Sequence, residues 1–154
     1  MSLLQDPEEA RRVIAEMRES AQNRAESARR AVSRMSQLTA EAWSPRREVR
    51  VQVDAAGLVT DVEFAEWAPG ESALSLARAV QQAHDRALRR WEVAMTAIAD
   101  DEYADDPALR ESTIRAAREA LPERILGVGD DEEDDVPPTD APGDDGGRAP
   151  GPAW

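Results

Sequence analysis

The sequence predicts an α+β fold in which a small antiparallel sheet of two to three strands lies between two long helices, followed by a short third helix. Two observations predict it. Residues 48–64 are the only stretch that alternates apolar and polar residues with period two, as strands with one buried face do. The segments 8–38 and 72–99 contain no Gly or Pro and carry apolar residues at helical spacing.

Composition limits the classes of function. The chain has 154 residues and a formal charge of -13, which predicts one domain with an appendage. Nine of the 32 acids and one of the 19 basic residues lie beyond residue 129, so the tail carries -8 and the rest only -5. There is no Cys, no signal-peptide pattern and no apolar run of the roughly 18 residues that a membrane span needs. We therefore expect a cytoplasmic protein that does not enter a membrane.

The first helix is predicted to begin at Asp6 and Pro7, since an Asp cap followed by Pro and two acids suits the positive end of a helix. Its seam consists mainly of small side chains at three-four spacing: Ile14, Met17, Ala21, Ala28, Ala31, Met35 and Leu38. Such a seam fits a coiled coil or an ordinary helix packed on its own domain. The sequence leaves both alternatives open.

The strand region predicts a hairpin with one apolar face. A turn at Gly57, where a positive φ costs little, joins the two arms. Placing Val53 opposite Leu58 puts the apolar side chains on one side and Arg50 opposite Asp61. Two strands alone are marginally stable, so this face needs further cover, and a weaker strand candidate spans residues 37–43. The residues predicted for the core or for a dimer contact are Val49, Val51, Val53, Leu58, Val62, Phe64, Val80 and Trp91.

The second helix carries His84 and Trp91 in its apolar stripe, so both are predicted to be structural rather than ligands or bases. Asp106 and Pro107 predict a third helix that ends near Leu121, before Pro122. From residue 127 onward acids, Pro and Gly dominate, which predicts disorder. The expected organisation is a domain over residues 1–100, a helical extension over 101–126 and a disordered tail over 127–154.

Arginines form two clusters. Arg46, Arg47 and Arg50 lie within five residues and could bind phosphates. In the structural alternative, which we favour for Arg50, that residue pairs across the hairpin with Asp61 and the other two arginines keep a sheet edge soluble. Roles for Arg46 and Arg47 stay open. A second cluster in the later helix consists of Arg86, Arg89 and Arg90, tempered by the neighbouring acids Asp85 and Glu92.

Catalytic and metal-binding patterns are missing from the sequence. Gly127 and Gly129 lead into acids rather than into a helix, and no Gly-x-Ser-x-Gly, His-Glu-x-x-His or Cys-x-x-Cys pattern occurs. The acidic run 130–135 lacks the mid-loop Gly of an EF-hand. We therefore expect no enzyme activity, no cofactor, no metal and no small-molecule substrate.

The arrangement resembles the YbaB/EbfC family of bacterial nucleoid-associated proteins over about residues 8–100. The resemblance is carried by Glu48-Val-Arg-Val-Gln-Val-Asp54, by the Ala-Ala-Gly57 turn and by the return arm Leu-Val-Thr-Asp-Val-Glu-Phe64. It implies a homodimer joined at its β-regions that binds double-stranded DNA with little sequence preference in the nucleoid. The DNA contacts expected on this basis are Arg29, Arg30, Arg34, Arg46, Arg47, Arg50, Arg89 and Arg90.

The chain also departs from that family. Trp43-Ser44-Pro45-Arg46-Arg47 stands where a Gly-rich segment is common, and the first helix balances Arg against Glu. We expect a tail of -8 to compete with DNA for the arginines and so to weaken binding. The sequence favours a DNA-binding homodimer. The alternative is a protein-interaction scaffold or chaperone-like accessory on the same fold, for example near a type VII secretion system by analogy, with weak or no DNA binding.

Overall fold

The computed structural model describes residues 6–126. The helices are α1 (Pro7–Ser36), α2 (Ala73–Glu102), α3 (Pro107–Glu119) and α4 (Glu123–Leu126), and the strands are β1 (Ala40–Trp43), β2 (Val49–Val53) and β3 (Val59–Phe64). The strands form one antiparallel sheet in the order β1-β2-β3. The predicted α+β class is confirmed, and the tail predicted to be disordered lies outside the described residues.

Each predicted helix start carries the expected cap. The carboxylate of Asp6 accepts the N–H of Glu8 at 2.9 Å, and the carboxylate of Asp106 accepts that of Leu109 at 3.2 Å. Both helices then begin with Pro, whose missing N–H is harmless in the first turn. The short helix α4 was not predicted, because Pro122 ends one helix and also precedes the next.

The predicted register of the hairpin is wrong by two residues. Val51 pairs with Val62, Val53 pairs with Val59 rather than Leu58, and the strands shift register next to Val53. The cause is Asp54, whose side chain accepts the N–H groups of Ala56 and Leu58 and so holds Leu58 in the loop. Gly57 has the predicted positive φ, at 75°.

The core lies between the sheet and α2. Val49, Val51 and Val53 are fully buried beneath α2, whose facing residues are Ala79, Ala83, Ala87 and Trp91. Small residues let the helix approach the sheet closely. The indole Nε1 of Trp91 donates to the carbonyl of Ala55 at 3.1 Å, so this side chain joins α2 to the hairpin loop. The prediction of Trp91 as a core residue is confirmed.

The C-terminal extension packs into this same core. Leu121 and Ile125 are buried in the cluster that contains the strand valines. Polar pairs accompany the apolar contact, since Arg118 binds Glu92 and Arg124 binds Asp85 on α2. The extension is therefore held on α2 by both apolar burial and ion pairs.

The apolar packing of helix α1 on the rest of the chain lies near its C-terminal end, and an ion pair between Arg24 and Asp106 at 3.3 Å adds a polar contact nearer its middle. Ala31 is buried against the end of α2, with Ala28 and Met35 beside it. Towards the N-terminus, Ile14 and Met17 are exposed. The seam therefore packs on its own domain over its last third, and its first half presents apolar side chains to solvent. No helix within residues 6–126 is long and apolar enough to cross a membrane.

Strand β3 is left uncovered by α2. Its side chains Val59, Val62 and Phe64 pair with the buried valines of β2, yet they are 48%, 39% and 47% exposed. Every residue of β3 is exposed. One sheet edge thus combines an apolar face with open backbone groups, which is an arrangement that invites a further strand.

Candidate nucleic-acid interface

The outer face of the sheet carries Arg50 among carboxylates. Its guanidinium lies 2.8 Å from Glu41, 2.7 Å from Glu63 and 3.4 Å from Asp61, measured from nitrogen to oxygen. The favoured pairing with Asp61 is confirmed, although Glu63 stands directly opposite Arg50 in the ladder. Because one cation faces three anions, this face repels phosphate more than it attracts it.

Arg30 and Arg34 hold α1 against the end of α2. The Nε of Arg30 lies 2.9 Å from Glu102, and Arg34 binds both Glu102 and Asp101. Hydrogen bonds from Arg30 and then Arg34 keep the pKa of Glu102 below its ordinary value. These two arginines therefore have acidic partners within the fold. Their predicted DNA contacts stay a prediction.

The connection between β1 and β2 is built on a buried Ser44–Glu48 pair. The Ser44 hydroxyl donates to Glu48 at 2.5 Å and accepts the N–H groups of Glu48 and Val49 at 3.0 and 3.2 Å. Burial alone would raise the pKa of Glu48, but the hydrogen bond from Ser44, backbone N–H groups and the charge of Arg46 together lower it. A charged carboxylate thus fixes the shape of this connection.

Arg46 and Arg47 project from this connection. Arg46 pairs with Glu48 at 3.4 Å and with Glu71 at 3.1 Å. Arg47 has a positive φ of 59°, which a non-Gly residue adopts at a cost of about 1–2 kcal/mol. Its guanidinium carbon lies 5.1 Å from the centre of the Trp43 ring, within the range of a cation–π contact. Backbone strain of this kind often marks a functional position.

Two arginines of α2 cover the free edge of β1. Arg86 donates to the carbonyl of Trp43 at 3.3 Å, and Arg90 donates to the carbonyl of Glu41 at 2.9 Å. These carbonyls point away from β2 because the hydrogen-bonded positions of an antiparallel ladder alternate. A carbonyl is a neutral acceptor, so Arg86 keeps its full positive charge at this edge.

The basic surface continues beyond β1. Arg78 on α2 and Arg46 on the connection line one cleft together with Ser72 and Gln82. Within the described chain, Arg78 has no ion pair. This surface therefore brings together residues from α2 and from the β1–β2 connection. We name them the β1-edge arginines: Arg46, Arg47, Arg78, Arg86 and Arg90.

The other predicted contacts lie elsewhere. Arg29 is exposed on α1 and Arg89 is partly buried on α2, and neither has an ion pair within residues 6–126. The sequence prediction named neither Arg78 nor Arg86 as a DNA contact, although both lie on this surface. Their spacing held the signal, because Arg78, Arg86 and Arg90 are eight and four residues apart and so lie near one side of α2.

The family model for the YbaB/EbfC DNA-binding family matches residues 11–105, which is more than half of the chain. The chain belongs to the YbaB/EbfC DNA-binding family. The suspected resemblance is thereby confirmed, and the family is nucleoid-associated. The match includes the sheet and all β1-edge arginines and ends before α3. No curated protein and no solved structure matched the chain.

Ser44→Ala is expected to lower the free energy of unfolding by about 1–3 kcal/mol at pH 7, because it leaves a buried carboxylate and two N–H groups without their partner. The folded pKa of Glu48 lies below its ordinary 4.5. Its stabilisation is therefore complete above that pH and is lost as the pH falls through the folded pKa. The difference between wild type and Ser44→Ala should accordingly shrink in acid.

Urea unfolding over a series of pH values from 7 downward measures this effect. Ser36→Ala serves as the control, since the Ser36 hydroxyl is exposed and donates only to a carbonyl of its own helix. That variant should stay within about 0.5 kcal/mol of wild type. An equal loss for Ser44→Ala at every pH at which the wild type stays folded would contradict the involvement of the charge of Glu48.

Proposed function

We propose that this protein binds double-stranded DNA with little sequence preference, as a homodimer associated with the nucleoid. The observation that supports this most is the row of β1-edge arginines within the family match. Arginine binds phosphate through the planar, forked N–H donors of its guanidinium group. Contacts to phosphates do not depend directly on the base sequence. The proposed ligand is therefore the sugar-phosphate backbone of a duplex.

The length of the basic row supports an extended ligand. Arg78 and Arg90 are twelve residues apart on α2, which spans roughly 18 Å at 1.5 Å per residue. Arg47 adds a cation beside this row, over the Trp43 ring, whereas Glu48 and Glu71 offset the charge of Arg46. A duplex presents phosphates along such a length, whereas a small anion would need a single convergent site.

The homodimer is supported by the contrast between the two sheet edges. The guanidinium groups of Arg86 and Arg90 donate hydrogen bonds to the outward carbonyls of β1, so these positive charges disfavour pairing with another strand at this edge. The β3 edge carries exposed Val62 and Phe64 instead. Pairing of β3 with β3 of a second copy would satisfy the open backbone groups of both edges and bring the apolar side chains of the two strands side by side across a two-fold axis.

Dimerisation through β3 also favours DNA binding. It leaves the β1 edges free, since β1 lies at the opposite side of each sheet. One dimer then carries two rows of β1-edge arginines. Because the second row binds intramolecularly once the first has bound, the affinity for a long duplex exceeds that of either row.

The double variant Arg86→Gln/Arg90→Gln tests this function. It should bind a random-sequence duplex at least about tenfold more weakly at low salt. The slope of log K against log salt concentration should also be shallower by about 1.8, which is about 0.9 for each lost phosphate contact. Fluorescence anisotropy over a salt series measures both. Circular dichroism checks that the fold persists.

The control is Arg11→Gln/Arg12→Gln, which removes the same charge from the exposed start of α1. It should retain most of the affinity and the wild-type slope. Two duplexes of equal length and different sequence should bind within about threefold, because phosphate contacts dominate. Equal affinity and slope for both double variants would contradict a role of the β1 edge.

A protein-interaction scaffold is the second candidate, and the exposed apolar residues Val13, Ile14 and Met17 on α1 favour it. Three apolar side chains on adjacent turns suit a groove on another protein, as an amphipathic helix does. Absence of DNA binding even at low salt, together with a solution partner that protects α1, would favour this candidate over the DNA-binding one.

A further inference from the structure

Arg89 on α2 forms no ion pair with the two carboxylates that lie close to it on the same helix. Asp85 lies four residues before it and Glu92 lies three residues after it. Carboxylates at these spacings normally pair with an arginine on the same helix face. Neither pairs with Arg89 in the fold, as every ion pair of Asp85 and Glu92 within residues 6–126 joins another arginine.

The C-terminal extension holds both acids instead. The guanidinium of Arg124 on α4 binds Asp85 at 3.0 Å, and the Nε of Arg118 on α3 binds Glu92 at 2.9 Å. Leu121 and Ile125 between and beside them are buried in the core, so the extension is fixed where these pairs form. The fold therefore pairs Asp85 and Glu92 with arginines of the extension and not with Arg89.

Arg89 is left with its charge uncompensated by any carboxylate of the described chain. Its Nε is buried and has no acceptor among those residues. Gln82 and Val93 lie on the same side of α2, seven residues before and four residues after it, and both are exposed. The flank of Arg89 that also carries Arg86 therefore faces solvent, whereas the flank with Asp85 and Glu92 lies against the extension.

We infer that the extension is a positioning element of the DNA-binding surface: Arg118 and Arg124 occupy Glu92 and Asp85, and Arg89 is thereby kept available for a DNA phosphate. The inference rests on the proposed function and adds Arg89 to the β1-edge arginines. It also assigns a role in binding to α3 and α4, which lie outside the family match. In this role Arg118 and Arg124 act through Arg89.

Removing the two positioning arginines tests the inference. Arg118→Gln/Arg124→Gln frees Asp85 and Glu92, which then pair with Arg89 and repel phosphate, so affinity for a random duplex should fall about tenfold. The exposed ion pairs contribute little to stability, and the apolar docking of the extension is retained. Arg115→Gln is the control, because Arg115 is an exposed arginine of α3 without an ion pair in the described chain.

Two further backgrounds distinguish positioning from direct contact. Adding Asp85→Asn and Glu92→Gln to the double variant should restore the lost affinity, since no carboxylate is left to capture Arg89. In an Arg89→Gln background, the same double substitution should have no further effect. A tenfold loss that persists in both backgrounds would overturn the inference, because Arg118 and Arg124 would then contact DNA themselves.

A measurement without DNA separates this inference from the proposed function. The Nε–Hε resonance of Arg89 in a ¹H–¹⁵N spectrum should shift when Arg118 and Arg124 become Gln, as Arg89 gains a carboxylate partner. An unchanged resonance would contradict the claim that Arg118 and Arg124 keep Asp85 and Glu92 from pairing with Arg89, whatever the DNA result. Wild type that fails to bind DNA would overturn the proposed function, even where the resonance shifts.

Discussion

Val62→Asp is expected to be monomeric at concentrations at which wild type is a dimer, and to bind a long duplex roughly a hundredfold more weakly. Val62 lies on the apolar face of β3, where α2 does not cover it. In the proposed β3–β3 dimer a carboxylate there would be desolvated and would lie close to the same carboxylate of the second copy. The loss of DNA affinity follows because a monomer has one basic row and loses an avidity gain of about 10² or more.

Sedimentation velocity and anisotropy measure the two effects. Val32→Asp is the matched control, since it places the same charge at an exposed Val on α1. It should keep the wild-type mass and nearly the wild-type affinity. A Val62→Asp protein with the mass of wild type would contradict dimerisation through β3. A monomer with undiminished affinity would show that two basic rows are not needed.

Trp91→Ala is expected to lower the free energy of unfolding by about 3–5 kcal/mol, as large-to-small substitutions of buried Trp do. Trp91 packs between α2 and the valines of β2, and its Nε1 hydrogen-bonds to Ala55 in the hairpin loop. The substitution therefore opens a cavity and leaves the Ala55 carbonyl without this donor. Urea unfolding at a fixed protein concentration measures the change, because the proposed dimer would link stability to concentration.

Two variants calibrate that measurement. Trp91→Phe keeps much of the volume and removes only the donor, so its loss should be smaller than that of Trp91→Ala. Leu74→Ala changes an exposed side chain of the same helix and should cost no more than about 0.5 kcal/mol. A Trp91→Ala protein within about 1 kcal/mol of wild type would contradict the central place of Trp91 in the core.

The parts of the fold that the sequence predicted correctly are those determined by interactions between residues close together in the chain. Asp6 and Asp106 each precede Pro, and these caps mark helix starts without knowledge of the rest of the chain. Alternation placed Val49 to Val53 on one buried face. The register was missed because the side chain of Asp54 sets the loop length through hydrogen bonds that residue type alone does not specify.

The candidate site was less predictable because charge depends on partners that are distant in sequence. Arg30 and Glu102 are 72 residues apart, and Arg124 and Asp85 are 39 apart. Adjacent acids appeared to temper Arg89, whereas the fold gives those acids to the extension. Likewise, the carbonyl partner of Arg86 becomes visible only once β1 lies beside α2. Clusters of arginine were readable from the sequence, but their neutralisation was not.

The most direct measurement titrates ¹⁵N-labelled full-length protein with a random-sequence duplex and maps the amide shifts. The proposed function predicts changes along residues 44–47 and 78–93 that grow with DNA, differ little between duplex sequences and reverse when salt is added. It also predicts that Val59–Phe64 stays unperturbed, since β3 would pair with its copy in the proposed dimer. No shifts at low salt, or shifts confined to β3 and the start of α1, would contradict DNA binding through the β1-edge arginines.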